Sequence, residues 1–214
     1  MRAWVLIAIV VCAFPGMASA QGLFLQKGTS GYGADMGLST DGGFVALGVG
    51  AGASYEGWAD AHLGITEVRL DPDDFGGDEV SGYGLAPGIA VHPLKQTATT
   101  PVSVALGVDL GFYTYSGGPD GMSSWSVGGW GTVYRFIKLR SNYGVIPGVQ
   151  LTYTHGASQI DSFSESYDDV SMSLGGHFAW LLDSGYMVTA TPGITFGSEP
   201  PVFSITVGAL RALP

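Results

Sequence analysis

Val102-Ser-Val104-Ala-Leu106-Gly-Val108-Asp-Leu110-Gly-Phe112 is the stretch whose reading decides the fold. Every second residue is bulky and apolar, and the residues between are small or polar. A strand points successive side chains to opposite faces, so this segment makes one greasy face and one face of Ser, Ala, Gly and Asp. In a water-soluble barrel the greasy face would turn inward and the other face would carry charge. Here the second face suits a crowded interior or narrow lumen. The greasy face then meets a bilayer.

The rest of the chain repeats this rhythm. Strands are expected over 32–39, 44–55, 58–70, 80–91, 102–115, 124–137, 143–154, 170–182, 186–196 and 203–210. Asp41-Gly42-Gly43 and Glu56-Gly57 read as tight turns. Residues 92–100 and 138–142 read as further turns, and 155–168 as a longer loop. The alternation slips near Thr66-Glu67, which predicts a bulge there, and a register break is expected at Gly128-Gly129. Pro87, Pro147 and Pro192 fall on the outward face, each followed by Gly, and a bend or bulge is expected to accommodate them. The fold class is therefore all-β: an antiparallel up-and-down transmembrane β-barrel. Ten strands are favoured, and eight are possible if two do not span.

Composition agrees. Charged residues make up 12% of the chain, against about 25% for an average protein. Gly contributes 35 of 214 residues. Met1-Arg2-Ala3, an apolar run from Trp4 to Phe14 and Met17-Ala18-Ser19-Ala20 have the form of a secretory signal peptide. Its run of 11 apolar residues is short of the roughly 20 that a membrane helix needs. The domain reading is a signal peptide over 1–20 and a single barrel domain over 21–214. The sole cysteine, Cys12, lies in the signal, so the exported part has no disulfide to staple it.

The connections sort by parity. The odd-numbered ones hold the long acidic loops, and the even-numbered ones are mostly short. Lys95, Lys138 and Arg140 sit in the short turns, with Lys27, Arg135 and Arg211 near the same end. Asp71, Asp73, Asp74, Asp78, Glu79, Asp120, Asp161, Glu165, Asp168 and Asp169 all fall in connections of the other kind. Long loops outside and short turns in the periplasm are the wiring of an outer-membrane barrel. Tyr55, Trp58, Tyr115, Trp125, Tyr134, Phe136, Tyr143, Tyr153, Trp180 and Tyr186 lie near strand ends, as aromatic girdles at two interfaces do.

On these features the chain resembles the small bacterial outer-membrane β-barrel superfamily, which includes the transmembrane domain of outer membrane protein A. Members usually end on an aromatic residue, whereas this sequence ends Leu213-Pro214. The resemblance implies an outer-membrane location, contact with outer-membrane lipid and lipopolysaccharide, and insertion by the outer-membrane assembly machinery. It implies a structural, adhesive or narrow-pore role, a monomer and no cofactor. Net charge of −10 argues against nucleic acid as a partner.

Asp35, Asp60, His62, Asp109, Gln150 and His177 are expected to form a polar network in the lumen. Glu67 and Arg69 join it near the outer end and Arg135 near the inner end. Buried charges must be paired or hydrated, so the set is either a proton or ion path or an interior plug. Asp71, Asp73, Asp74, Asp78 and Glu79 are weak metal candidates. Position twelve of that loop is Gly82 where an EF-hand needs Glu, so it reads as a solvated acidic loop. Two further functional classes compete. A lipid A-modifying or proteolytic hydrolase would need its catalytic group on one face. His155-Gly-Ala-Ser158 spaces its two side chains onto opposite faces of a regular strand. A secreted lipocalin-like barrel would bind an apolar ligand inside.

Overall fold

The computed structural model of the chain describes residues 25–71, 80–117, 122–160, 163–182, 186–197 and 200–213. The expected signal peptide, 1–20, lies outside them. So do the metal candidates Asp73, Asp74, Asp78 and Glu79, together with Asp120 and Asp161. The described residues hold eleven strands in chain order: β1 (Gly31–Thr40), β2 (Phe44–Tyr55), β3 (Ala59–Leu70), β4 (Val80–Leu94), β5 (Ser103–Ser116), β6 (Ser123–Tyr134), β7 (Ile137–Lys138), β8 (Tyr143–Ile160), β9 (Phe163–Leu181), β10 (Tyr186–Phe196) and β11 (Val202–Ala212).

Apart from β6 and β7, each strand pairs antiparallel with its chain neighbours, β1 pairs with β11, and β6 pairs with β8, so the sheet closes on itself. The short β7 continues β6 along β8 in one register, Tyr134 opposite Gly148 and Ile137 opposite Val145. The result is a closed ring of ten strands, with β6 and β7 counted as one. Closure removes the sheet edges that a membrane would not tolerate. At the β2–β3 turn Glu56 and Gly57 both have positive φ, 49° and 64°. That twist matches the flanking strands.

The two faces separate as the alternation demands. On β2, Val45, Leu47, Val49 and Tyr55 are exposed on the outside, and Phe44, Ala46, Gly48 and Gly50 are buried within. On β5, Leu106, Val108, Leu110 and Phe112 face out. An outside this apolar belongs in lipid, not water. Pro147 and Pro192 are exposed on that face, and Pro87 is half-buried there.

Several sequence expectations need correction. No bulge occurs at Thr66-Glu67: β3 runs in unbroken register against β2 and β4. Polarity inverts there instead. Val68 and Leu70 point inward, while Glu67 and Arg69 face out and pair with each other, Arg69 Nη2 to Glu67 Oε1 at 2.8 Å. They do not belong to the lumen. No break occurs at Gly128-Gly129 either, so Trp130 and Tyr134 are buried inside. Tyr134 is not a girdle residue, and Tyr115 packs against an interior cluster. The prolines change no register. The β4–β5 ladder shifts instead between Val91 and Leu94, where β4 runs on into the expected turn. Arg135 is exposed beyond the end of β6 and takes no part in the interior. Most of the 155–168 loop is strand: β8 and β9 pair in one register from Tyr143 opposite Trp180 to Ile160 opposite Phe163.

Candidate functional site: the barrel interior

The interior has three levels. At the outer end, where the acidic connections lie, Phe44, Ala46, Val68, Leu70, Val80, Met122 and Val202 form a buried apolar cluster with Tyr115 against it. Towards the inner end, Ala90, Ala105, Trp130, Tyr134 and Ile146 form a second cluster. Polar groups occupy the space between and beside these.

His62 and Asp109 stand on β3 and β5, with β4 between them. They meet because β4 presents Gly88 at that level. A Cβ there would collide with both side chains. His62 Nε2 lies 3.0 Å from Asp109 Oδ1. Asp35 spreads over Gly50 of β2 in the same manner, and Trp130 lies over Gly107 of β5. A large side chain set against a glycine on the neighbouring strand fills a narrow barrel without forcing the strands apart.

Gln150 is held between two threonines. Thr132 Oγ1 donates to its Oε1 at 2.9 Å, and its Nε2 donates to Thr152 Oγ1 at 3.3 Å. His177 Nδ1 lies 2.7 Å from Thr191 Oγ1. Asp60 joins a group that the sequence reading missed. His92 Nε2 lies 2.8 Å from Asp60 Oδ2, and His92 Nδ1 lies 3.1 Å from Tyr134 Oη. Both partners are almost fully buried, so the pair needs its hydrogen bonds to offset desolvation. His92 was assigned to a turn. Parity alone would have found it, since it continues the inward series Gly82, Gly84, Ala86, Gly88, Ala90.

Below this group the chain before β1 folds across the inner mouth. Leu25 is buried, and Lys95 Nζ donates to its carbonyl at 3.2 Å. Gly28 N donates to Glu56 O, and Leu213 N to Ser30 O, which ties the segment to the rim. Burial pushes the Lys95 amine down to about 8, and the Asp60 carboxylate opposes the shift.

The structure thus brings His62 to Asp109 and Asp60 to His92, leaves Gln150 and His177 bonded to threonines, and puts Arg135 outside. The His–carboxylate pairs can hold or pass a proton. Among the described residues no group of three His, Cys, Asp or Glu is placed to hold a metal ion. His155 and Ser158 stand on opposite faces of β8, whose register is continuous there.

No family model and no curated protein matches the sequence. Solved structures do resemble it. The β domain of the Bordetella autotransporter Brka is 12% identical, with a TM-score of 0.52, over 85% of this chain and 98% of that one. An outer membrane channel from Pseudomonas putida F1 is 10% identical, with a TM-score of 0.53, over 94% of this chain and 100% of that one. At such identity the likeness is one of fold, and it extends over most of both chains. A closed antiparallel ring, an apolar outside and these neighbours agree: the chain has the fold of the outer-membrane β-barrel superfamily.

Proposed function

We propose that this protein is an outer-membrane barrel closed at rest, whose role is structural or adhesive and is carried by its outer end. The observation that supports this most is the apolar cluster of Phe44, Val68, Leu70, Val80, Met122 and Val202 filling the outer end of the interior. A constitutive pore needs a wetted passage, and the described residues of this cluster are apolar. The second cluster around Trp130 and Ile146 narrows the other half. The outward band contacts outer-membrane lipid and lipopolysaccharide. Insertion falls to the outer-membrane assembly machinery. A ring that pairs every strand within one chain needs no second copy, which supports a monomer.

A narrow cation path is the second reading. It is favoured by Asp35, Asp109 and His62 at mid-lumen, and one structural neighbour is itself an outer membrane channel. Planar-bilayer recording tests the choice. The closed-barrel reading expects no stable conductance. Small cation-selective steps lost on Asp109→Asn would favour the path instead.

A further inference from the structure

At the outer end, among the described residues, the ring leaves a stretch of β9 with a strand partner on one side only. β8 and β9 pair over their whole length, but β10 begins to pair with β9 only at Met172, opposite Phe196. From Phe163 to Ser171, β9 has β8 on one side and, among the described residues, no strand on the other.

The direction of the free backbone groups can be read off. Val170 O lies against Gly197, the residue after β10, close enough that a Cβ there would come within 2.6 Å of it. That carbonyl therefore faces the β10 side. Backbone groups alternate sides along a strand. The N–H and C=O of Asp168, Ser166 and Ser164 point the same way, out of the sheet.

The outward side chains of β9 also change here. Val170, Met172, Leu174, Phe178 and Trp180 are apolar, whereas Ser164, Ser166 and Asp168 are polar, and all are exposed. The hydrocarbon boundary thus falls between Val170 and Asp168, and the free edge stands beyond it. An exposed edge is a template for an added strand.

We propose that the outer edge of β9, from Ser164 to Asp168, docks an extended, basic peptide segment of a partner protein by strand addition. The proposal rests on the reading of the outer end as the working part of the molecule, and it names the class of partner. The charge of the edge selects that class. Glu165, Asp168 and Asp169 lie within six residues of one another. A second copy paired edge to edge would bring like charges together, which opposes self-association. Lysine or arginine on the incoming strand meets acid on both faces of the sheet. The hydrogen bonds from Tyr153 and then His155 hold the Asp168 carboxyl below the usual range.

The test uses the full chain refolded into nanodiscs and a short synthetic peptide alternating lysine with valine. Titration calorimetry should show binding that weakens with salt. Ser166→Pro should weaken it about tenfold or more, since proline removes an edge donor. Ser166 makes no ladder bond to β8 through that N–H, so the barrel should survive, as heat-modified gel mobility will report. Ser166→Ala should bind as the parent does. The same peptide N-methylated at alternate residues should lose affinity to a similar degree with the protein unaltered. Equal binding by the Ser166→Pro protein, or by the N-methylated peptide, would overturn strand addition. Dimers of the parent chain that vanish on Ser166→Pro would overturn the choice of partner. Conductance is read separately: an open pore with peptide binding intact breaks the closed-barrel reading and leaves the docking edge standing.

Discussion

The lower and upper halves of β9 are one strand under two sets of rules. From Val170 to Leu181 its outward side chains are apolar, and from Met172 on β10 pairs with it opposite β8. From Phe163 to Asp169 its described outward side chains are polar, and only β8 flanks it. The backbone geometry does not change between the halves. What changes is the solvent. In lipid, each backbone group must be paired within the protein and the outside must be apolar. Beyond lipid, both demands lapse, and an unpaired polar edge is tolerated. β3 shows the same boundary from within: below Thr66 apolar residues face out, and above it Val68 and Leu70 face in while Glu67 and Arg69 face out.

The comparison can be broken at several points. The largest effect is expected inside. Trp130→Ala removes the ring that covers Gly107 and should cost about 3–5 kcal/mol, measured by urea unfolding in vesicles. Leu174→Arg on the lower half of β9 should cost about 2–4 kcal/mol. Ser166→Arg on the upper half of the same strand should change stability by less than about 0.5 kcal/mol. If the two arginines cost the same, the boundary drawn here is misplaced. Asp60→Asn weakens a buried pair with His92 and should cost about 1–3 kcal/mol.

A further effect is one of pH. Lys95 loses its proton near pH 8 when folded and near 10.5 when unfolded. Between those values the unfolded chain binds more protons, so stability should rise with pH across that window. Below it the cost of burying the charge is constant. Lys95→Met should remove this rise, and unfolding midpoints of the two proteins at pH 7.5 and 9.5 will read the difference. A parallel pH response in both proteins would separate Lys95 from the inner mouth.

The sequence was most readable where lipid lies outside and small residues lie inside. β2 and β10 have the bounds that alternation predicts, since Val45, Leu47 and Val49 contrast sharply with Gly48 and Gly50. The readings failed where that contrast reversed or vanished. At Thr66-Glu67 and Gly128-Gly129 the apolar residues cross to the inner face because they fill the barrel. A change of polarity then looks like a change of register. Among the described residues from His155 to Asp168 nearly all side chains are small or polar on both faces, Tyr167 excepted, so no hydrophobic period marks the strand. His62 and Asp109 were both expected in the lumen, but their contact depends on Gly88 of a third strand. The site at His92 lies in a stretch that reads as a turn, although β4 runs on through it.

The most direct test of the account is a nitroxide scan along β9, from Ser164 to Trp180, in nanodiscs. Labels at positions 170, 172, 174 and 178 should be quenched by oxygen and shielded from a water-soluble nickel reagent. Labels at 164, 166 and 168 should respond the other way. Oxygen-dominated quenching at 164 and 166, or nickel-dominated quenching at 172 and 174, would contradict the lipid boundary on which the docking edge depends.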